Sequence, residues 1–390
     1  MRRKKLAGIF MSFMVAAGVL AGCGSASTSG EKDDETIKIG ANLELSGGVA
    51  SYGQSIEEGL TLAIEEINKD GIDGKKIKLV TFDNKSDAAE ATNGAIKLIS
   101  QDKVSAIVGA ATSTNTLAQV EIAQKNKTPL ITPTGTNSTI TFKNGVLNDF
   151  VFRTCFIDPF QGTVAANFAS NDLKVKNAAI IIDSSSDYSK GLAASFQKSF
   201  EGNGGKIVAE EAYVAKDTDF NAILTNIKAK NPDFVFLPGF YEEVGLIIKQ
   251  ARALGIDVPF MGGDGWDSPT LVDIAGGDPL NNTFITNHYS SGDSDPKVQD
   301  FVKAFEGKYN GKSPDAFAAL GYDTGYFIAD AIKRAGSSDP EKIKKALEET
   351  DGLGLVSGDL KLDKNHDPIK AAVILEYKSG KQEFNTKINP

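Results

Sequence analysis

From Thr36 onward the chain alternates short apolar runs with stretches of helical periodicity, and it runs through that alternation twice. Residues 37–43 read as a strand. Ile56, Leu60, Ala63, Ile64 and Ile67 then fall on one face of a helix. Gly71-Ile72-Asp73-Gly74 breaks that helix. A strand over 77–82 follows, then a helix over 87–100 with Asp87 as its N-cap. A buried strand over 104–108, a helix over 113–124 and a proline-closed strand over 129–133 complete the first pass. The second pass has helices over 160–173, 188–201 and 241–254, and a helical face at Phe220, Ile223, Leu224 and Ile227. Its strands are 178–183, 207–213, 234–237 and 258–261. Strands separated by helices pair in parallel and need cover on both faces. The expected fold class is therefore α/β, with two doubly wound units in succession. From Pro296 the spacing predicts helices over 296–307, 316–335 and 340–350, and two short strands near Leu360 and over 371–377 finish the chain.

The first 22 residues stand apart from this pattern. Arg2, Arg3, Lys4 and Lys5 precede an apolar run of 15 residues, Leu6 to Leu20. That run is shorter than the roughly 20 residues a membrane-spanning helix needs. A basic start followed by a short apolar run is the pattern of an export signal. Leu20-Ala21-Gly22-Cys23 resembles the bacterial lipobox, which implies cleavage before Cys23 and lipidation of its thiol. Residues 24–35 are small, polar and charged, so 23–35 read as a lipidated cysteine and flexible tether. The resulting location is the outer face of the cell membrane.

Charge and residue usage narrow the function. Lys and Arg number 42 against 51 Asp and Glu, a net charge of −9. A chain of that sign lacks the basic face that nucleic acid requires. With 2 Cys and 2 His there is little material for a disulfide scaffold, a Cys-based zinc site or a His-rich metal site. Cys155 is expected to be buried and inert. No Walker A, HExxH, GxSxG or CxxC pattern occurs. Asp363-Lys364-Asn365-His366-Asp367 begins like a calcium loop, but Pro368 stands where the sixth-position glycine belongs, so a polar turn is expected. His288 and His366 have no metal-like or triad-like spacing and are expected at the surface or in turns. No metal, no cofactor and no catalytic residue is predicted.

The order and wording of several segments resemble the branched-chain amino-acid (leucine/isoleucine/valine) binding proteins of ABC transporters, of the type I periplasmic-binding-protein family. The carriers are Ile37-Lys38-Ile39-Gly40 with Ser46-Gly47 and Tyr52-Gly53, Asn68-Lys69-Asp70-Gly71-Ile72, Val108-Gly109 with Ser113, and Pro129-Leu130-Ile131-Thr132-Pro133. Asp187-Tyr188-Ser189-Lys190-Gly191, Asp217-Thr218-Asp219-Phe220, Gly262-Gly263-Asp264-Gly265 and Ala319-Leu320-Gly321-Tyr322-Asp323 continue the match to the C-terminal region. The resemblance implies two α/β lobes joined by three crossing segments near Arg153, Thr286 and Gly358. Lobe one is then 36–153 plus 287–357, and lobe two 154–286 plus 358–390. It also implies a monomeric receptor that closes around a ligand and delivers it to an ABC permease.

An amino acid presents a carboxylate, an ammonium and a side chain. Strand-to-helix turns offer unpaired backbone N–H groups for the first. The resemblance assigns Ser113 and Thr136 as hydroxyl donors there and Thr134 as a main-chain contact. It assigns Asp264, in a glycine-flanked turn, to the ammonium; on residues alone the favoured reading is a turn aspartate bonding its own backbone. Asp267 is read as a helix N-cap. Tyr52, Ala111, Tyr188, Phe240 and Tyr322 match positions that line the side-chain pocket, with Trp266 as a further wall. Some relatives carry a disulfide where this chain has Ser86 and Thr112, which leaves Thr112 as part of the pocket wall. Two other readings stay open. One is a receptor of the same fold for amides, urea-like solutes or short organic acids. The other is an exported hydrolase with Ser113 as nucleophile, for which no histidine base is evident.

Overall fold

The computed structural model describes residues 36–389, so the export signal, Cys23 and the tether lie outside the described residues. Strand β1 (Thr36–Leu43) carries the alternating apolar residues that bury it on both faces. Helix α1 (Ala50–Asp70) follows, then β2 (Lys76–Asp83), α2 (Ala88–Lys97), β3 (Ala106–Gly109), α3 (Ser113–Asn126) and β4 (Leu130–Thr132). A small hairpin, β5 (Phe142–Lys143) and β6 (Val146–Leu147), precedes β7 (Val151–Arg153). The parallel order β2-β1-β3-β4-β7 makes the first sheet.

The chain then crosses to a second sheet. Helix α4 (Asp158–Asn167) leads to β8 (Asn177–Asp183), α5 (Asp187–Gly202), β9 (Lys206–Tyr213), α6 (Asn221–Lys230), β10 (Phe234–Phe236), α7 (Tyr241–Ala253), β11 (Phe260–Gly262), α8 (Pro269–Ala275) and β12 (Thr283–Asn287). Helices α9 (Pro296–Lys308), α10 (Ala316–Ala335) and α11 (Pro340–Glu348) follow. They are succeeded by a hairpin of β13 (Asp351–Leu355) and β14 (Gly358–Lys361), then by β15 (Ala372–Lys378) and β16 (Lys381–Ile388). The second sheet runs β16-β15-β12-β11-β10-β8-β9, with β15 and β16 antiparallel.

Several elements differ from the sequence expectation for identifiable reasons. Ser113 is the first residue of α3, and Thr112 is its cap, the side chain accepting from Asn115 N. Asp87 caps α2 as predicted, accepting from Glu90 N at 2.9 Å. Strand β16 is absent from the sequence expectation, because this mostly exposed edge strand is polar and has no apolar alternation. Gly358 opens the second arm of the β13–β14 hairpin, so the chain re-enters the second sheet only at Ala372. The 363–367 segment is a polar turn, with Asp363 accepting from Asn365 N and Asp367 N.

Helix α10 returns the chain to the first sheet by packing on α1. The two backbones approach so closely that a Cβ at Gly59 would sit 1.9 Å from Ala318 O, and one at Gly321 would sit 2.4 Å from Ile56 O. Only glycine permits this at both places. The first crossing is anchored by buried Arg153, whose Nε lies 2.8 Å from Asp367 Oδ1 and whose Nη1 donates to Gly135 O. Lys370, also buried, donates to Thr154 O and Ser357 Oγ. Among the described residues no helix is long and apolar enough to cross a membrane.

Candidate functional site

The C-terminal ends of the parallel strands in the two sheets face each other across one cavity. Tyr52, Ala111, Thr112, Ser113 and Thr134 line it from the first sheet's side, with Phe317 from α10; Tyr188, Phe240, Asp264 and Gly265 line it from the second. All but Phe317 lie just beyond the carboxyl end of a strand or in the first turn of the helix that follows it. Tyr52 is in the first turn of α1, and Thr112 and Ser113 begin α3. Thr134 follows β4, Tyr188 opens α5, Phe240 precedes α7, and Asp264 follows β11. This is the edge of an open α/β sheet at which ligands bind.

Two buried carboxylates shape the cavity from opposite sides. Glu44, just after β1, is fully buried and accepts from Ala111 N (2.9 Å), Thr112 N (3.1 Å), Thr112 Oγ1 (2.9 Å) and Asn115 Nδ2 (2.9 Å). It thus occupies donors at the N-terminal end of α3 and fixes the turn that presents Ser113. The Thr112 hydroxyl, placed in the pocket wall by the sequence reading, is bound to Glu44. The Ser113 hydroxyl accepts from Asn137 N at 3.1 Å, and Thr134 Oγ1 donates to Ala111 O at 2.7 Å.

Asp264 is 3% exposed. Its Oδ1 accepts from Gln161 Nε2 at 2.7 Å and Tyr188 OH at 3.0 Å, and its Oδ2 lies 3.1 Å from His288 Nε2. Burial pulls the His288 imidazole below its ordinary pKa, against the attraction of Asp264. Burial, then Asp264, pushes the Tyr188 phenol well up. Both groups are therefore neutral donors at pH 7. Among the described residues no lysine or arginine pairs with Asp264. A buried carboxylate held only by neutral donors is open to a cation.

Aromatic rings form the remaining walls. Tyr52 stacks on Phe317 with 4.1 Å between centroids, and Tyr188 stacks on Phe240 at 5.5 Å. The Tyr52 hydroxyl also crosses the cleft, donating to Gly265 O and accepting from Tyr241 N at 3.2 Å.

Several sequence-assigned residues stand elsewhere. Tyr322 donates to Glu66 Oε2 at 2.6 Å and lines a separate cavity with Phe301 and Tyr326, because its position on α10 turns it away from the cleft. Trp266 is wholly buried, its Nε1 donating to Leu237 O at 2.9 Å, and does not reach the cavity. Thr136 is also fully buried behind the lining, beside Asp158, whose carboxyl burial pushes up to about 8. Asp267 is no cap. Its Oδ2 accepts from Ala316 N and Asn287 Nδ2, while Ser268 caps α8. His288, expected at the surface or in a turn, is 3% exposed just after β12; His366 lies in the 363–367 turn as expected, though only 4% exposed. Cys155 is free and buried, its thiol pushed up to about 12 by burial, in keeping with an inert role. The sequence reading missed Glu44, Gln161, His288, Gly265 and Phe317. Glu44 alone carried a signal, as a carboxylate directly after a strand.

Two α/β lobes, joined by three crossing segments and closed over a cavity with polar ends and aromatic walls, define a solute-binding protein of the flytrap kind. The family model described as periplasmic binding protein matches residues 36–382, and the chain belongs to that family. It is 32% identical over 338 residues to the leucine-, isoleucine-, valine-, threonine- and alanine-binding protein of Pseudomonas aeruginosa, covering 86% of this chain and 87% of that one. Among solved structures it is similar to the branched-chain amino acid transporter substrate-binding protein of Streptococcus pneumoniae in complex with isoleucine. That match has a TM-score of 0.86 and 40% identity, covering 91% of this chain and 100% of that one. It is also similar to an ABC transporter solute-binding protein of R. palustris in complex with benzoate, with a TM-score of 0.83 and 26% identity, over 91% and 97% of the two chains. These relatives are solute-binding proteins, not enzymes.

Proposed function

We propose that this chain is an exported lipoprotein that captures a branched-chain amino acid (leucine, isoleucine or valine) between its lobes and delivers it to an ABC permease. The observation that carries the reading is Asp264, a buried carboxylate at the cavity with neutral donors and, among the described residues, no cationic partner. A ligand ammonium supplies the missing charge. The ligand carboxylate is received by the Ser113 hydroxyl and the turn at Thr134, beside the start of α3, where Glu44 already holds the Ala111 and Thr112 N–H groups. The aliphatic side chain lies against Tyr52, Phe240 and Phe317, which present apolar area with few rotamers to freeze. Lobe one, built on the first sheet with α9 to α11, and lobe two, built on the second, close as rigid bodies about the three crossings. The lipobox at Cys23 supports anchoring to the membrane that holds the permease.

The relatives named for leucine, isoleucine and valine support this ligand class, and the benzoate complex shows that one relative holds a ligand with no ammonium. The test is thermal unfolding of the full chain, refolded to strip ligand, against each of the twenty amino acids. A ligand at 100 times its dissociation constant stabilises by about 2.7 kcal/mol, which moves a chain of this size by several degrees. A shift with leucine, isoleucine or valine is the expected result. No shift with any amino acid, and a shift with an organic acid or amide, would replace it with the ammonium-free reading.

A further inference from the structure

Asp264 has three partners, and they are not equivalent. Gln161 and Tyr188 keep their protons throughout the physiological range. His288 alone can change charge near neutrality. It directly follows β12, where the chain leaves the second sheet. Its ring stacks on Phe156 of the first crossing, with centroids 3.6 Å apart, so two of the three crossing segments meet at this imidazole. With Nε2 facing a carboxylate, the neutral ring carries its proton on Nε2, an assignment from the hydrogen-bond pattern. Nδ1 is then left as an acceptor, buried and without a partner among the described residues. A second proton at Nδ1 would turn a neutral contact with Asp264 into a buried ion pair.

The charged groups around the ring act in both directions. Asp264 and Asp267, from the turn after β11, favour the imidazolium; Lys370, from the segment before β15, opposes it. Asp158 on α4 and Tyr188 on α5 act on Asp264. Tyr289, next in sequence, donates its hydroxyl to Pro314 O. In the closed site burial prevails and the ring is neutral.

We infer that a ligand ammonium on Asp264 and a second proton on His288 exclude each other, so His288 makes capture of an amine-bearing ligand weaken in acid. The inference rests on the amino-acid reading above and deepens it. Both cations compete for one carboxylate. When the lobes part, water reaches the ring, its desolvation falls and the imidazolium can pair with Asp264. Closure on an ammonium brings a second positive charge to the same carboxylate and expels the proton. Because one proton is released per ligand bound, affinity falls toward about tenfold per pH unit below the His288 pKa of the unliganded protein.

The experiment is leucine titration of the full chain by calorimetry between about pH 5 and 7.5, in two buffers of different ionisation enthalpy, for the wild type and His288→Gln. Glutamine can donate to Asp264 but cannot take up a proton. The expected result is a wild-type affinity that falls in acid with proton release, and a His288→Gln affinity that is flat over the same range whatever its value. With 2 histidines in the chain, the imidazole Hε1 region of a proton spectrum holds two resonances, and His366→Gln assigns them. The His288 line should titrate without leucine and stop titrating with it, which tests the inference even where His288→Gln fails to fold. A flat wild-type affinity, an unchanged slope in His288→Gln, or a His288 line indifferent to leucine in acid would overturn the inference alone. Failure of leucine, isoleucine and valine to bind the wild type at the upper pH would overturn the amino-acid reading, and this inference with it.

Discussion

Glu44 and Asp264 are both buried carboxylates at the carboxyl ends of parallel strands, one in each sheet; Asp264 lines the cavity, and Glu44 lies behind the turn that does. Their surroundings separate them. Glu44 accepts two backbone N–H groups, a hydroxyl and an amide, all from the turn that starts α3. Its charge is balanced by a helix N-terminus and it acts as a clamp within one lobe. Asp264 has one amide, one phenol and one neutral imidazole, drawn from three separate elements, and no helix N-terminus of its own beyond a single short turn. Burial is the same, so burial alone does not identify a ligand group. The difference is whether the protein itself completes the electrostatics.

The sharpest way to break this comparison is Asp264→Asn. It removes the charge and keeps the shape, and binding of leucine should weaken by about 2–5 kcal/mol, the cost of unpairing a buried charge pair. At neutral pH, unfolding of the unliganded protein should change little, since His288 is then neutral and can accept from the new amide. Unchanged affinity by calorimetry would take Asp264 out of the site. Glu44→Gln should do the reverse. Even with its carbonyl kept toward Thr112 and Asn115, its NH2 group would meet the Ala111 N–H donor, and stability should drop by about 1–3 kcal/mol in denaturant unfolding. Affinity should fall only as far as the Ser113 turn is disturbed. A larger effect on affinity than on stability would mean that Glu44 is a ligand group after all.

The lesson about legibility lies in the same pair. Periodicity exposed the two α/β passes because core-facing residues of α1, such as Ile56, Leu60 and Ala63, repeat at helical spacing, and central strands such as β3 and β10 are apolar and fully buried. It could not expose β16, whose exposed face needs no apolar residue, or the late third crossing, because a hairpin and a crossing strand read alike around Gly358. At the site, the resemblance pointed to Ser113, Thr134, Tyr188 and Asp264 through segments with recognisable wording, and all four line the cavity. Groups that arrive from distant segments were not. Gln161 and His288 reach Asp264 from 103 and 24 positions away and have no local pattern to mark them. Tyr322 failed for the converse reason. Its Leu-Gly-Tyr-Asp setting is conspicuous, but the rotation of α10 set by Gly59 and Gly321 turns the ring toward Glu66.

Smaller substitutions sharpen the division between cleft and scaffold. Tyr52→Phe keeps the ring on Phe317 and deletes the hydroxyl that joins Tyr241 N and Gly265 O across the cleft. Those contacts exist only when the lobes meet, so leucine affinity should fall by about 1 kcal/mol, with little change in unliganded stability. Full affinity in calorimetry would remove the hydroxyl from the closing contacts.

Tyr322→Phe carries the smallest effect and marks most directly where the site ends. The hydroxyl it deletes donates to Glu66 Oε2, but Tyr326 OH donates to the same oxygen at 2.8 Å, so the carboxylate keeps a partner and access to solvent. The stability loss should be within about 0.5–1 kcal/mol, the net value of one hydrogen bond, and leucine affinity should not move. The site would then stop at Phe317, one turn before Tyr322 on the same helix. A loss of affinity without loss of stability would show that α10 rotates on closure, carrying Tyr322 toward the ligand, and the glycine contact between α1 and α10 would have to be a moving joint instead of a fixed one.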